Sequence, residues 1–380
     1  MFQELIAFIK ELYAEKETIY LHEPILGDLE KKYLCEAIDS TFVSSIGPFV
    51  NRFEDHILNY VGTKYAIATV NGTSALHLSL SALGIGSNDL VVTQSLSFVA
   101  ASNAISYCGA QPVFLDIDKD TLSLSPDKLR EFLERQCKIM NNQCIHIDSG
   151  KAIPACLPVH IFGHPAKIRE IKTICDERNI SLIEDSAESL GSYYDDKHTG
   201  GFGLCGIFSF NGNKIVTAGG GGCIVTNHDA FAKKLKHLSE TAKINTPTEL
   251  NHDEIGFNYR MPNINAALLM AQLERLPEFL KSKQQIALEY QTFFKSTEMM
   301  FIHEPENSHS NYWLNSILLN SKATRDQFLR ETHEHQIMTR PCWKPIHQMK
   351  MYQQCINDGC SLASDLAFRL VNLPSGARHG

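Results

Sequence analysis

The stretch from Gly206 to Thr226, G-I-F-S-F-N-G-N-K-I-V-T-A-G-G-G-G-C-I-V-T, decides how the whole chain is read. A β-type run, Ile207 to Phe210, delivers one lysine, Lys214, into a loop. Four glycines, Gly219 to Gly222, then lead into a second β-type run, Cys223 to Thr226. No other charge occurs between Gly206 and Asn227, so the Lys214 side chain is expected to be secluded from water. Desolvation favours the neutral amine of a lysine, the form that attacks a carbonyl or aldehyde. Consecutive glycines let the backbone turn closely beside such a site.

Upstream, I-S-L-I-E-D-S-A-E-S is an apolar strand that ends in Glu184 and Asp185. Neighbours on a strand face opposite sides, so one acid can enter a site while the other leaves it. A buried acid at a strand end, followed by a strand and a loop lysine, is the pair that pyridoxal phosphate (PLP) requires: a partner for its aldehyde and one for its pyridinium. Earlier still, the strand Tyr65 to Val70 runs directly into N-G-T-S-A-L-H-L-S-L-S-A-L-G, a helix closed by Gly84. Free amides and the positive end of the helix dipole converge at Gly72, Thr73 and Ser74, a cup for a phosphate. The same residues also suit an ordinary cap by Asn71 or Thr73. Neither a Walker loop nor a dinucleotide fingerprint is present.

The series N-G-T-S-A-L-H-L, S-F-V-A-A-S-N-A-I, P-V-H-I-F-G, E-D-S-A-E-S, S-F-N-G-N-K and F-N-Y-R-M-P-N-I-N-A-A-L resembles the DegT/DnrJ/EryC1/StrS family of PLP-dependent sugar aminotransferases, from about Ile19 to about Ser375. The resemblance implies PLP-dependent transferase fold type I, aspartate aminotransferase-like: an α/β fold with a mostly parallel seven-stranded sheet and a smaller C-terminal α/β domain. It makes Lys214 the residue that holds PLP covalently and moves the proton. Asp185 becomes the partner of the ring nitrogen, Phe98 the ring that stacks on the pyridine, Glu188 the contact to the ring hydroxyl and Ser209 a phosphate ligand. Asn258 reaches the neighbouring subunit's cofactor phosphate, with Arg260 nearby, so the resemblance also implies a homodimer with shared active sites. The donor it implies is L-glutamate, with ping-pong kinetics, and the acceptor a nucleotide-linked keto-sugar. I-Y-L-H-E-P, D-S-T-F-V-S-S-I-G-P-F-V and E-D-S-A-E-S-L-G-S look most like the branch aminating UDP-4-keto-6-deoxy-N-acetylglucosamine for bacillosamine or legionaminic-acid type glycans. Other dTDP- or GDP-linked 3- or 4-keto sugars, and a catalytically idle sugar-nucleotide binder, stay as alternatives. Relatives that dehydrate the sugar carry His in place of the lysine, which Lys214 argues against. Two departures stand out: G-G-G-G replaces the frequent G-E-G-G, and Ala218 stands where Thr is common.

Composition sets the outer limits. Hydrophobic residues at 43% and charged residues at 21% fit a soluble globular protein. A formal charge of −8 disfavours nucleic acid or an anionic membrane as the main partner, so any phosphate must be met locally. Eleven scattered cysteines without a C-x-x-C pair read as reduced thiols of a cytoplasmic protein. Residues 1–276 are expected to form the N-terminal segment and the large PLP-binding domain, and residues 277–380 the small domain.

Several local expectations follow from pattern alone. The N-terminus reads as a short amphipathic helix, not a signal. Asp28 is placed as the N-cap of a helix, and Ser125 with Pro126 opens another. Cys137 to Gly150 reads as a surface excursion and Ala242 to Gly256 as a loop without clear structure. His160 and His164 straddle a strand end and a glycine, and no metal site is expected there. Phe98 suits either a core or a stacking role, and Asn103 either the same pocket or a helix surface. Arg340, Trp343 and His347 form a polar-aromatic group that either borders the substrate or simply packs.

Overall fold

Seven short apolar runs form the strands that position the lysine and the acid. They are β1 (Tyr65–Thr69), β2 (Asp89–Gln94), β3 (Gln111–Leu115), β4 (Ala152–Leu157), β5 (Ser181–Asp185), β6 (Cys205–Ser209) and β7 (Gly222–Thr226). The computed structural model describes residues 2–14, 16–245 and 248–378. In space the strands run β1-β7-β6-β5-β4-β2-β3. All neighbours are parallel except β7, which is antiparallel to both β1 and β6. This is the mostly parallel sheet expected from the sequence.

Alternation along β6 and β7 shows why the sheet is covered on both sides. Ile207 and Ile224 point into one apolar layer with Ala75, Leu78 and Leu235 from the helices Gly72–Ala82 and Asp229–Ser239. Phe208, Cys223 and Val225 point the other way, against Phe53 and Ile57 of the helix Pro48–Val61 and Ala266 and Leu269 of the helix Asn263–Glu274. A strand buried on both faces needs the near-continuous apolar runs seen here.

Three local expectations are corrected. Asp28 is the first helical residue and Gly27 the cap; the Glu30 carboxylate accepts the Gly27 amide at 2.7 Å. The segment after Cys137 is a hairpin, Cys137–Met140 with Gln143–His146, joined by Asn141 and Asn142 at φ 48° and 63°. Asparagine tolerates this left-handed geometry, and two such residues make the tight turn that matches strand twist. The hairpin joins the large sheet through Ile145 and Ala152, making nine strands. Within the presumed loop from Ala242, Lys243–Asn245 pairs with Leu250–His252; residues 246–247 lie outside the described residues. Ser125 does cap its helix, accepting the Lys128 amide.

A second sheet of four strands, ordered Met300–Phe301, Asn315–Leu318, Leu370–Leu373 and Arg340–Pro341, stands beside the first. The N-terminal helix Gln3–Leu12 buries Leu5, Ile6 and Ile9 against Tyr290, Ile317 and Val371 of this region, not against the large sheet. The long helix Leu276–Phe294 carries a fully buried cation, Lys283, whose Nζ donates to the carbonyls of Trp313 at 3.1 Å and Ser375 at 2.5 Å.

Burial pushes the Lys283 ammonium down to about 7. From there up to the ordinary lysine value of about 10.4, only the unfolded chain keeps the proton. The penalty for burying the charge is therefore fully present below pH 7 and is relieved as pH rises through this window. Native stability should rise relative to a Lys283→Met variant by up to about 1.4 kcal/mol per pH unit. Urea titrations of both proteins at about pH 7 and about pH 9 check this. A constant difference between them would mean that Lys283 keeps its charge in the fold.

Candidate active site

The C-terminal ends of β5 and β6 and the N-terminal end of the helix Gly72–Ala82 meet around one cavity of about 420 Å³. That volume lies within the usual range for a small-molecule site. Gly72, Thr73, Phe98, Asp185, Glu188, Ser209 and Lys214 all line it. Groups far apart in sequence are thus brought within reach of one small molecule.

The two acids at the end of β5 diverge, as their adjacency requires. Glu184 turns away and is fully buried: Oε1 accepts the amides of Phe202 and Gly203 at 2.6 and 2.7 Å, and Oε2 accepts that of Gly200 at 2.8 Å. His160 completes the shell through Nε2 at 3.2 Å. Its Nδ1 accepts the Ala166 amide, which leaves Nε2 as the ring nitrogen that donates to Glu184. Asp185 faces the cavity and is buried, with the Ala187 amide as its hydrogen bond, at 3.1 Å on Oδ1. Burial pushes its carboxyl above the ordinary range, opposed by the Ala187 amide and the Lys214 charge. A carboxylate this poorly satisfied is poised to accept a cationic donor from a ligand.

Lys214 sits in a turn closed by its own amide on the Asn211 carbonyl at 3.0 Å. Its Nζ lies 3.4 Å from Glu188 Oε1 and 3.9 Å from the centre of the Trp313 ring, with the side chain 13% exposed. The lysine is secluded, as its uncharged flanks imply, but a carboxylate and an indole face it. Glu188 Oε2 accepts the Phe162 amide at 2.8 Å, and burial raises its carboxyl against the pull of Lys214 and that amide.

At the phosphate-cup end, Asn71 caps the helix by accepting the Ser74 amide at 2.8 Å. Ser74 stands outside the cavity lining, whereas Gly72 and Thr73 border it. A Cβ on Gly72 would lie 2.9 Å from Ser209 Cβ, so the helix start and the end of β6 meet only because residue 72 has no side chain. The glycine run has a similar cause: a Cβ on Gly222 would fall 2.4 Å from the Asn71 carbonyl carbon, and Gly219 adopts φ +73°.

Phe98 is 53% exposed and lines the cavity, its ring tilted 57° from that of Trp343 at 6.2 Å; Trp343 in turn stacks on Phe162. Asn103 accepts the Tyr352 hydroxyl at 2.7 Å and does not reach the cavity. Of the C-terminal group, Trp343 lines the cavity, Arg340 is exposed on its strand, and His347 is bonded to Ser95 at 2.5 Å. Asn258 is exposed outside the cavity, on a segment that bridges Glu240 and continues past Arg260 beside Thr69. Sequence reading missed Trp313 and Ser97. The first lies in the run N-Y-W-L-N-S-I-L-L, residues 311–319, which carries no local sign of a site; the second has a buried hydroxyl with no partner among the described residues.

These features fit PLP chemically. An amine, a cavity-facing carboxylate, a half-exposed ring, an orphaned hydroxyl and a helix start pressed on a serine are what its aldehyde, pyridinium, ring face and phosphate need.

Comparison with known proteins agrees with this geometry. Residues 24–379 match the DegT/DnrJ/EryC1/StrS aminotransferase family. The chain is 37% identical over 366 residues to the putative pyridoxal phosphate-dependent aminotransferase EpsN of Bacillus subtilis, covering 95% of this chain and 92% of that protein. It is 36% identical to the GDP-perosamine synthase of Escherichia coli O157:H7 over 358 residues, 94% of this chain and 93% of that one. A DegT DnrJ EryC1 StrS aminotransferase from Brucella abortus superposes with TM-score 0.84 at 26% identity, covering 92% of this chain and 90% of that one. Sheet order and near-complete coverage establish aminotransferase fold type I, and this chain belongs to the DegT/DnrJ/EryC1/StrS aminotransferase family.

Proposed function

We propose that the protein transfers the amino group of L-glutamate to the 4-keto position of a nucleotide-linked keto-deoxy sugar, using PLP. The observation that carries the reading is the convergence of Lys214, Asp185, Ser209 and Gly72 on one cavity. When bound, PLP supplies an electron sink that stabilises negative charge at the donor's α-carbon. Lys214 holds the cofactor and, when freed, carries a proton to and from the reacting carbon. Asp185 keeps the ring nitrogen protonated by placing a buried negative charge beside it. Gly72, Thr73 and Ser209 bind the phosphate, Phe98 covers the ring face, and Glu188 meets the ring hydroxyl.

Asn258 completes the phosphate site of a second subunit in this reading, so the working form is a cytoplasmic homodimer. Its exposure outside its own cavity supports that role. Among the described residues, no helix is long and apolar enough to cross a membrane. A division at residues 276/277 into a cofactor-binding unit and a smaller unit belongs to the same proposal.

For the acceptor, we propose UDP-4-keto-6-deoxy-N-acetylglucosamine, on its way to a bacterial surface glycan; the sequence blocks quoted above support it. A GDP-linked acceptor is the second reading, favoured by the likeness to GDP-perosamine synthases. Incubation of the PLP-loaded protein and L-glutamate with UDP-, GDP- and dTDP-linked 4-keto-6-deoxy sugars decides between them. The amino sugar should form with the UDP-linked compound at a kcat/KM at least about tenfold above the others, a difference of about 1.4 kcal/mol in transition-state binding. Preference for the GDP compound would move the acceptor assignment; no product from any, with PLP bound, would leave an idle binder.

A further inference from the structure

We infer that Trp313 and Lys283 form one device that positions Lys214, Trp313 by direct contact and Lys283 through Trp313. The consequence for catalysis rests on the reading of Lys214 given above; the geometry does not.

Trp313 is buried and touches the lysine loop twice. Its ring lies 3.9 Å from Lys214 Nζ, within the range of attraction between a cation and an indole face. Its Nε1–H donates to the carbonyl of Asn213 at 2.7 Å, fixing the residue that precedes the lysine. Both the head of Lys214 and the backbone leading into it are therefore set by one side chain.

The backbone that carries this indole is strained. Tyr312, the preceding residue, has φ +46°, a left-handed conformation that a bulky aromatic residue rarely adopts. Such strain persists only where surrounding contacts over-determine it. Two contacts bear directly on Trp313. Its amide donates to Asn311 Oδ1 at 2.7 Å, while Asn311 Nδ2 grips the carbonyls of Glu188 and Leu190 at 2.9 and 2.8 Å. Its carbonyl accepts from Lys283 Nζ, which also binds the Ser375 carbonyl.

A buried lysine is costly, and an apolar residue of similar length would fill the same space on this helix. What Lys283 adds is a pair of directed bonds, one of them on the residue beneath Lys214. The buried ring nitrogens of His22 lack partners among the described residues, and His22, Lys283 and Ile215, the residue after Lys214, border one small void. Loss of the Lys283 bond frees the Trp313 carbonyl, lets Tyr312 relax and withdraws the indole from the lysine.

The test uses the full-length, cofactor-free protein, acetylated briefly and read by peptide mass spectrometry at Lys214 relative to exposed Lys31. Trp313→Leu and Lys283→Met should each raise relative labelling at Lys214 by about fivefold to tenfold, the size of a cation–indole contact removed from a part-buried site. The double variant should label no faster than Trp313→Leu alone, because Lys283 acts through the indole. Lys283→Arg keeps the donors and should label like the native protein; Trp313→Phe keeps a ring without the N–H and should lie between. A native rate in Lys283→Met, or single effects that multiply in the double variant, would overturn the inference. Should Lys283→Met fail to fold, the Trp313→Phe and Lys283→Arg arms still decide it, since native labelling in Trp313→Phe or raised labelling in Lys283→Arg contradicts it. The same proteins are then mixed with PLP, and covalent capture by Lys214 is followed by absorbance. Capture should slow by about tenfold in Trp313→Leu and Lys283→Met but not in Lys283→Arg. If native protein captures no PLP, the functional reading fails, and the labelling series still judges the positioning.

Discussion

Lys214→Ala should lower kcat for amino transfer by about 10⁴-fold or more, since one residue supplies both the nucleophile and the proton carrier. Lys214→Arg should be just as inactive. It keeps the positive charge facing Glu188 and Trp313 but removes an amine that can attack a carbonyl. The pair therefore separates chemistry from electrostatics. Folding should survive in both. Burial already raises the Glu188 carboxyl against the pull of Lys214, so loss of that cation in the alanine variant shifts the group further toward its neutral form. Steady-state rates with L-glutamate and the accepted keto-sugar, alongside thermal unfolding, provide the check. A small primary amine added to Lys214→Ala should restore part of the proton transfer. Retention of more than about a tenth of native kcat by Lys214→Arg would show that the cation, not the amine, does the work.

The sequence made the site legible where backbone and chemistry are coupled. A lysine between two strands, an acid pair at a strand end and a glycine at a helix start are each forced by local geometry, and the fold brings them to one cavity. The divergence of Glu184 from Asp185 follows from strand pleating alone. What escaped lies in tertiary contact. Trp313 reaches the lysine loop across 100 residues of sequence, and nothing in its own neighbourhood points there. Lys283 looks like one more helix-surface lysine until its helix is packed, because a helical pattern does not say how deeply a charged position is covered. The hairpin at Asn141–Asn142 was readable in principle: two adjacent residues that tolerate positive φ are a turn signal, masked here by flanks without clean alternation. The cap was placed one residue late, at Asp28, because a glycine fills that position, with Glu30 bonding back to it.

Asp185→Asn should reduce kcat by about 10²- to 10³-fold, the usual loss when one buried charge that stabilises a transition state is removed. Asparagine keeps the size of the side chain, and its oxygen still accepts the Ala187 amide, so the cavity holds its shape. Only the negative charge is lost, and with it the reason for the ring nitrogen to stay protonated. Stability should move the other way. Burial disfavours the Asp185 carboxylate, so the neutral amide should leave the cofactor-free protein as stable as the native one or more stable, by up to about 2 kcal/mol. Glu184→Gln is the matched control on the same strand. That carboxylate already has four donors, three of them backbone amides, and an amide nitrogen cannot accept from them. Gln at 184 should therefore cost stability while leaving kcat within about tenfold of native. Opposite signs of effect from adjacent acids would separate a group kept for chemistry from one kept for folding. An Asp185→Asn enzyme with near-native kcat would remove Asp185 from the cofactor site.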